Sequence, residues 1–198
     1  MAFTQNNGNF NNNGGYNNQP QQNGDKPKTN FTIGNTRGTD GVIDVKAWKS
    51  ASNVLYAALS IRQQIVKDPN GKIMYEAGLS KDRPGVLIRP DHARSLYEYL
   101  KKQDWSRINL VDHAPAPEYP DQTISVVGSE SEVKFTIKDK AKGARTITIT
   151  ADPIGGTYAN GAWENFLSQF WKEIETAIFM KMSEDLPGNN NNGEENPF

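Results

Sequence analysis

From about Asn30 onward, apolar and polar positions alternate with the period of two that a half-buried strand requires. In GVIDVKAWK, Ile43, Val45 and Ala47 oppose Asp44, Lys46 and Trp48. VLYAALSIRQQIVK extends the pattern: Leu55, Ala57, Leu59, Ile61 and Ile65 share one side, with Tyr56, Ser60, Arg62 and Gln64 on the other. Asp68-Pro69-Asn70-Gly71 predicts a reversal, because proline presets φ and Asn-Gly tolerates positive φ. KIMYEAGLS then alternates again through Ile73, Tyr75, Ala77 and Leu79, and Arg83-Pro84-Gly85 leads into a short strand, VLIR. At Pro90-Asp91 the period changes: in DHARSLYEYLKK, Ala93, Leu96, Tyr97 and Leu100 fall on one helical face.

The prolines of HAPAPEYPDQ argue against helix or central strand and predict a linker. Beyond it, TISVVGS, EVKFTIKDK and ARTITITAD read as three strands, with Ile147 and Ile149 opposing Thr146, Thr148 and Thr150. Lys134, Thr136 and Lys138 share one side of the middle strand. GAWENFLSQFWKEIETAIFMKM places Trp163, Phe166, Leu167, Phe170, Trp171, Ile174, Ala177, Ile178 and Met182 on one helical stripe. The pattern predicts an α+β fold over residues 30–183: antiparallel β-sheets, each followed by an amphipathic helix. Strands then helix occurring twice raises a degenerate duplication, with units at 30–105 and 121–183. A helix of some 30 Å exceeds what one small sheet needs, so part of its stripe is expected to serve a homo-oligomer interface.

Composition divides the chain differently. Residues 1–29 are rich in Asn, Gly and Gln with Phe3, Phe10 and Tyr16 interspersed, and residues 184–198 are acidic and Asn-rich; both are expected to be disordered tails. All 22 Lys and Arg lie between Lys26 and Lys181, while Asp25, Glu184, Asp185, Glu194 and Glu195 lie outside the body. The body therefore carries 22 bases against 18 of the 23 acids, a net +4, within a chain of net −1. A basic body with an acidic end points to a polyanionic partner. With neither a signal sequence nor a long apolar run, the expected setting is the cytoplasm of a bacterium or an infected host.

Chemistry is sparse. The absence of cysteine excludes thiol catalysis and thiolate metal sites, and His92 and His113 lack metal-ligand spacing, so neither a metal nor another cofactor is expected. GNTRGTDG lacks the lysine of a phosphate-cradling loop and reads as a hairpin or loop. No catalytic constellation emerges, and acids such as Asp40 and Asp44 have the spacing of ordinary exposed groups. Binding has more support: single-stranded nucleic acid is held by basic grooves along the phosphates and aromatic faces against the bases. Candidate contacts are Lys46, Trp48 and Lys49, then Tyr56, Arg62, Lys67, Lys72 and Arg83. Lys134, Lys138 and the basic hairpin Lys140, Lys142 and Arg145 complete the set. The competing reading is that these bases protect sheet edges and that Trp48 closes its sheet against a helix.

Residues 54–102 combine a long strand, a D-P-x-G turn, a strand, the loop KDRPG, the strand VLIRP and the helix DHARSLYEYL. This order resembles the single-stranded-DNA-binding domain of the transcriptional coactivator positive cofactor four. Two such units in one chain are similar to the Whirly proteins, where a duplicated strand-and-helix motif presents sheets to single-stranded DNA. The ending GEENPF resembles the tips of bacterial and phage single-stranded-DNA-binding proteins. That second likeness implies that Glu194, Glu195, Pro197 and Phe198 recruit replication or repair proteins.

The expectation is therefore a sequence-independent single-stranded-DNA-binding protein of replication, recombination or repair, from a phage or bacterium. Two alternatives stay open: an RNA-binding or transcription-modulating protein of the same fold, and a structural, oligomeric assembly protein.

Overall fold

The structure, a computed structural model, describes residues 30–34, 38–67, 73–76, 82–150 and 157–184. Lys72, Glu194, Glu195, Pro197 and Phe198, the 68–71 turn, and the expectations for Ala77, Leu79 and the 1–29 and 185–198 tails lie outside the described residues. So does the side chain of Lys67.

The first sheet comprises β1 (Asn30–Ile33), β2 (Gly41–Lys49), β3 (Leu55–Lys67), β4 (Ile73–Tyr75) and β5 (Gly85–Ile88). It is antiparallel, in the order β1-β2-β3, and β4 and β5 both pair with the remaining edge of β3. Helix α1 (Pro90–Lys102) follows, entered through the preset φ of Pro90, with Asp91 in its first turn and Lys101 and Lys102 in its last, both favourable to the helix dipole. A 3-10 turn at Trp105–Arg107 leads to the second sheet, β6 (Asn109–His113), β7 (Gln122–Gly128), β8 (Glu132–Asp139) and β9 (Gly143–Thr150), an antiparallel meander in chain order. Helix α2 (Thr157–Glu184) closes the described fold.

Both runs of strands are thus antiparallel and each is followed by a helix, as the periodicity predicts. The four-residue β1 is not among the strands read from alternation, and β6 escapes the pattern too. A register shift between Leu110 and His113, with Asp112 at φ +47°, breaks its alternation, so a five-residue edge strand leaves no period to read.

The two runs share one core. Ile43, Val45, Leu59, Ile61, Val86 and Ile88 from the first sheet cluster with Ile124, Val126, Phe135, Ile137 and Ile147 from the second. Ala93, Leu96 and Leu100 of α1 and the α2 stripe from Trp163 to Ile178 complete the cluster. Phe135 of β8 lies 5.7 Å from Phe166 and 5.9 Å from Phe170, ring centre to ring centre, and Tyr97 of α1 stacks on Trp171 at 6.2 Å. Each fully buried ring of this kind stabilises by about 1.5 to 3 kcal/mol. At 1.5 Å per residue the 28 residues of α2 extend about 42 Å. Met182, expected on the buried stripe, is 58% exposed, because the end of so long a helix outruns the core.

The sheets are also joined through backbone. Thr39 bridges Ile149, the Thr150 N–H donates to Gly38 O (2.8 Å), and the Asp40 N–H donates to Thr148 O (3.2 Å), so residues 38–40 cover the edge of β9. Gly34 and Gly38, at φ +86° and +94°, supply left-handed backbone at the end of β1 and at the approach to β9. At Gly41 the chain then passes so close to β3 and β9 that a Cβ would lie 2.8 Å from Arg62 O and 2.7 Å from Ile147 Cγ2.

Candidate nucleic-acid interface

Alternation along β8 turns Val133, Phe135 and Ile137 into the core and leaves Lys134, Thr136 and Lys138 facing outward. Register then sets their neighbours. Lys134 lies between Val127 and Thr148, Thr136 between Ser125 and Thr146, and Lys138 between Thr123 and Ala144. The Thr136 and Thr146 hydroxyls are 2.8 Å apart. At about 3.4 Å per residue the two lysines stand roughly 13 Å apart along the strand. The result is an outward sheet face of ammonium groups separated by hydroxyls, a set of donors suited to phosphate oxygens.

Each of these lysines has a carboxylate beside it. Lys134 Nζ lies 2.8 Å from Glu132, Lys138 Nζ 3.5 Å from Asp112, and Lys140 Nζ 3.4 Å from Asp121. The hydrogen bond and charge of Glu132 hold the Lys134 ammonium above its ordinary pKa. The lysine side chains are 55%, 52% and 78% exposed, and exposed pairs of this sort are worth about 0 to 1 kcal/mol. A phosphate can therefore take the lysine from its partner at little cost. Lys142 follows on the same exposed β8–β9 turn.

The outward face of the first sheet differs from its expectation. Register does place Trp48 opposite Tyr56 and Lys46 opposite Ala58 on one side of the sheet, with Lys49 at the strand end. Tyr56, however, is only 2% exposed, because the proline-rich 114–121 segment folds over it. Tyr119 meets its ring edge-on at 5.7 Å, Ala116 is fully buried beside it, and Trp48 packs at 5.7 Å from the other side. Burial, then the charge of Glu118, raises the Tyr56 hydroxyl above its usual pKa. The expected linker is in fact a cover, held by a His92 Nδ1–H donating to Pro115 O (2.7 Å) and by Arg89 against Glu118 (3.2 Å). Trp48 and Lys46 remain half-exposed at its margin.

The arginines are committed elsewhere. Arg62 donates from Nε and Nη2 to both oxygens of Asp44 (2.7 and 2.8 Å), from Nη1 to Glu76 O (3.3 Å), and lies 5.8 Å from the Tyr75 ring. Asp44, expected to be an exposed acid, is 5% exposed for this reason. Glu76 Oε2 accepts from the Gln63 N–H (3.1 Å) and from Arg145, and lies 3.7 Å from Nη1 of the buried Arg83. Burial would raise the Glu76 carboxyl, but the Gln63 N–H, Arg145 and Arg83 outweigh it and hold its pKa below the ordinary 4.5. Arg62, Arg83 and Arg145 thus clamp β9 of the second sheet to β3 and β4 of the first, where phosphate would have to displace a half-buried carboxylate.

A further site carries no signal at the level of motifs. Between α1 and β6 lies a cavity of about 300 Å³ lined by His92, Ser95, Leu96, Tyr99, Leu110 and His113. Burial, then the charge of His92, pushes the His113 pKa below 6.5. Among the described residues no cluster of three or more His, Cys, Asp or Glu is placed to hold a metal, and no helix is long and apolar enough to cross a membrane.

These features define a mixed α+β protein of two antiparallel sheets and two helices, with one sheet face rich in lysine and hydroxyl groups. Comparison with protein-family models, curated proteins and solved structures finds no match to this chain.

Proposed function

We propose that the chain binds single-stranded DNA without regard to sequence, in replication, recombination or repair, and that the outward face of the second sheet is its principal contact. The observation that carries this reading is the register of β7, β8 and β9, which sets Lys134 and Lys138 among the partly exposed hydroxyl residues Ser125, Thr136, Thr146 and Thr148 on a surface with exchangeable ion pairs. Lysines and hydroxyls read phosphate, not sequence. Trp48, half-exposed beside the 114–121 cover, is the remaining candidate to stack on a base. The repeated order of antiparallel strands followed by a helix supports the same reading through the likeness to positive cofactor four and the Whirly proteins. The acidic tip, lying beyond the described residues, is assigned to recruitment of replication or repair proteins in a phage or bacterial setting.

Fluorescence anisotropy of a labelled oligothymidylate at low and rising salt tests the proposal. Binding that is equal for mixed sequences and weakens steeply with salt is expected; no binding at low salt overturns it. RNA and duplex of one sequence serve as competitors, and preference for either moves the assignment to the RNA-binding or transcription-modulating alternative. An assembly role has one observation of its own, the exposure of Phe179 (68%) and Met182 (58%) on α2. A defined oligomer in sedimentation that is indifferent to DNA would favour it.

A further inference from the structure

The cavity between α1 and β6 is too small for a folded partner and too apolar for a phosphate, yet its walls include three flat rings. Tyr99 and the two imidazoles supply faces for stacking, Leu96 and Leu110 supply apolar contact, and Ser95 supplies a hydroxyl. Among the described residues no wall residue is an acid, a lysine or an arginine. The carbonyl of Pro115 can only accept, so the His92 Nδ1 that meets it at 2.7 Å carries a proton, and the His92 Nε2 lies 4.0 Å from an Asp91 carboxylate oxygen. Burial, then the charge of His92, lowers the His113 pKa and so favours a neutral imidazole at His113.

Position connects this cavity to the lysine face. His113 directly follows Asp112, whose carboxylate lies 3.5 Å from Lys138 Nζ, accepts from the Thr123 hydroxyl at 3.3 Å, and whose N–H donates to Ser125 Oγ at 2.9 Å. A strand whose phosphate takes Lys138 from Asp112 is therefore one residue along β6 from His113, a wall of the cavity. Flat walls with hydrogen-bonding edges suit a heteroaromatic ring that arrives attached to a phosphate. We infer that the α1–β6 cavity receives a single nucleobase from a strand bound across the β6 edge, an inference that rests on the DNA-binding reading above.

The chain has only two histidines, His92 and His113, and both line the cavity, so their imidazole C–H resonances report on it without ambiguity. The full chain is titrated with oligothymidylate and, separately, with a sugar–phosphate strand of equal length lacking bases. Both strands are expected to bind at low salt, but only oligothymidylate shifts the two histidine signals. Tyr99→Ala, at a residue 42% exposed and outside the core, is expected to weaken oligothymidylate about fivefold or more and to leave the abasic strand unaffected. If both strands bind while the histidines stay unmoved, or shift equally, the base pocket is refuted and the phosphate face survives. Binding of neither strand refutes both. The free peptide GEENPF is the third probe: histidine shifts with it and not with oligothymidylate assign the cavity to an aromatic peptide tip and overturn the proposal.

Discussion

Glu76 is the residue on which most of the arginine chemistry turns. One carboxylate answers the Gln63 N–H, Arg145 and, at 3.7 Å, an Arg83 that is 5% exposed. Removing its charge leaves a buried guanidinium facing an amide, which costs about 1 to 3 kcal/mol, below the figure for a fully buried pair because the Glu76 side chain is 28% exposed. The pH dependence has a definite sign. The folded pKa lies below 4.5, so the unfolded chain binds the proton more readily, and the stabilisation is complete above about pH 4.5 and lost as pH falls through the folded value. Denaturant melts of Glu76→Gln should therefore show lower stability at neutral pH and a flatter acid limb than the parent. Parallel curves, equally steep below pH 4.5, would show that the carboxylate is not held by the arginines.

Elements record how much of the fold is legible in the sequence. The alternation in β2, β3, β7, β8 and β9 and the helical faces of α1 and α2 predict these elements, because each has one face in the core over enough residues for a period to emerge. What a period cannot give is the cover on the other face. Tyr56 alternates outward and is still buried, since three-dimensional packing of the proline-rich segment, not the strand, decides its exposure. Asp44 likewise reads as a surface acid until Arg62 is placed beside it across the ladder. Of the site, the lysines of β8 and its turn are legible from alternation, whereas the α1–β6 cavity is not, for its walls come from separate elements that only tertiary contact brings together. Glycine makes the same distinction testable. Gly41 and Gly161 look alike in sequence, but a Cβ at Gly41 meets backbone at Arg62 O and a Cβ at Gly161, in exposed helix, meets nothing within 4 Å. Gly41→Ala should destabilise by about 1 to 3 kcal/mol through overpacking. Gly161→Ala should stabilise by about 0.5 to 1 kcal/mol through helix entropy. Thermal melts that move in the same direction for both would contradict this close approach of Gly41 to β3 and β9.

At the scale of the whole molecule, charge separates into two kinds. The arginines Arg62, Arg83 and Arg145 are clamped in a cluster that joins the sheets, while Lys134, Lys138 and Lys140 stand in exposed pairs. The β8 face and its turn therefore gather lysines in exchangeable pairs, and the salt dependence of binding should come in part from there. For single strands each neutralised phosphate contributes about 0.7 to the slope of log K against log salt. The triple variant Lys134→Gln, Lys138→Gln, Lys140→Gln should thus lower that slope by about 2 and weaken binding alike across sequences. Its melting temperature should change little, because the three ion pairs it breaks are solvent-exposed. Replacing Arg62 has the opposite signature: stability falls first, and affinity only as the fold is lost. If the lysine variant keeps the parent slope, phosphates do not lie on this face and the proposed contact is overturned.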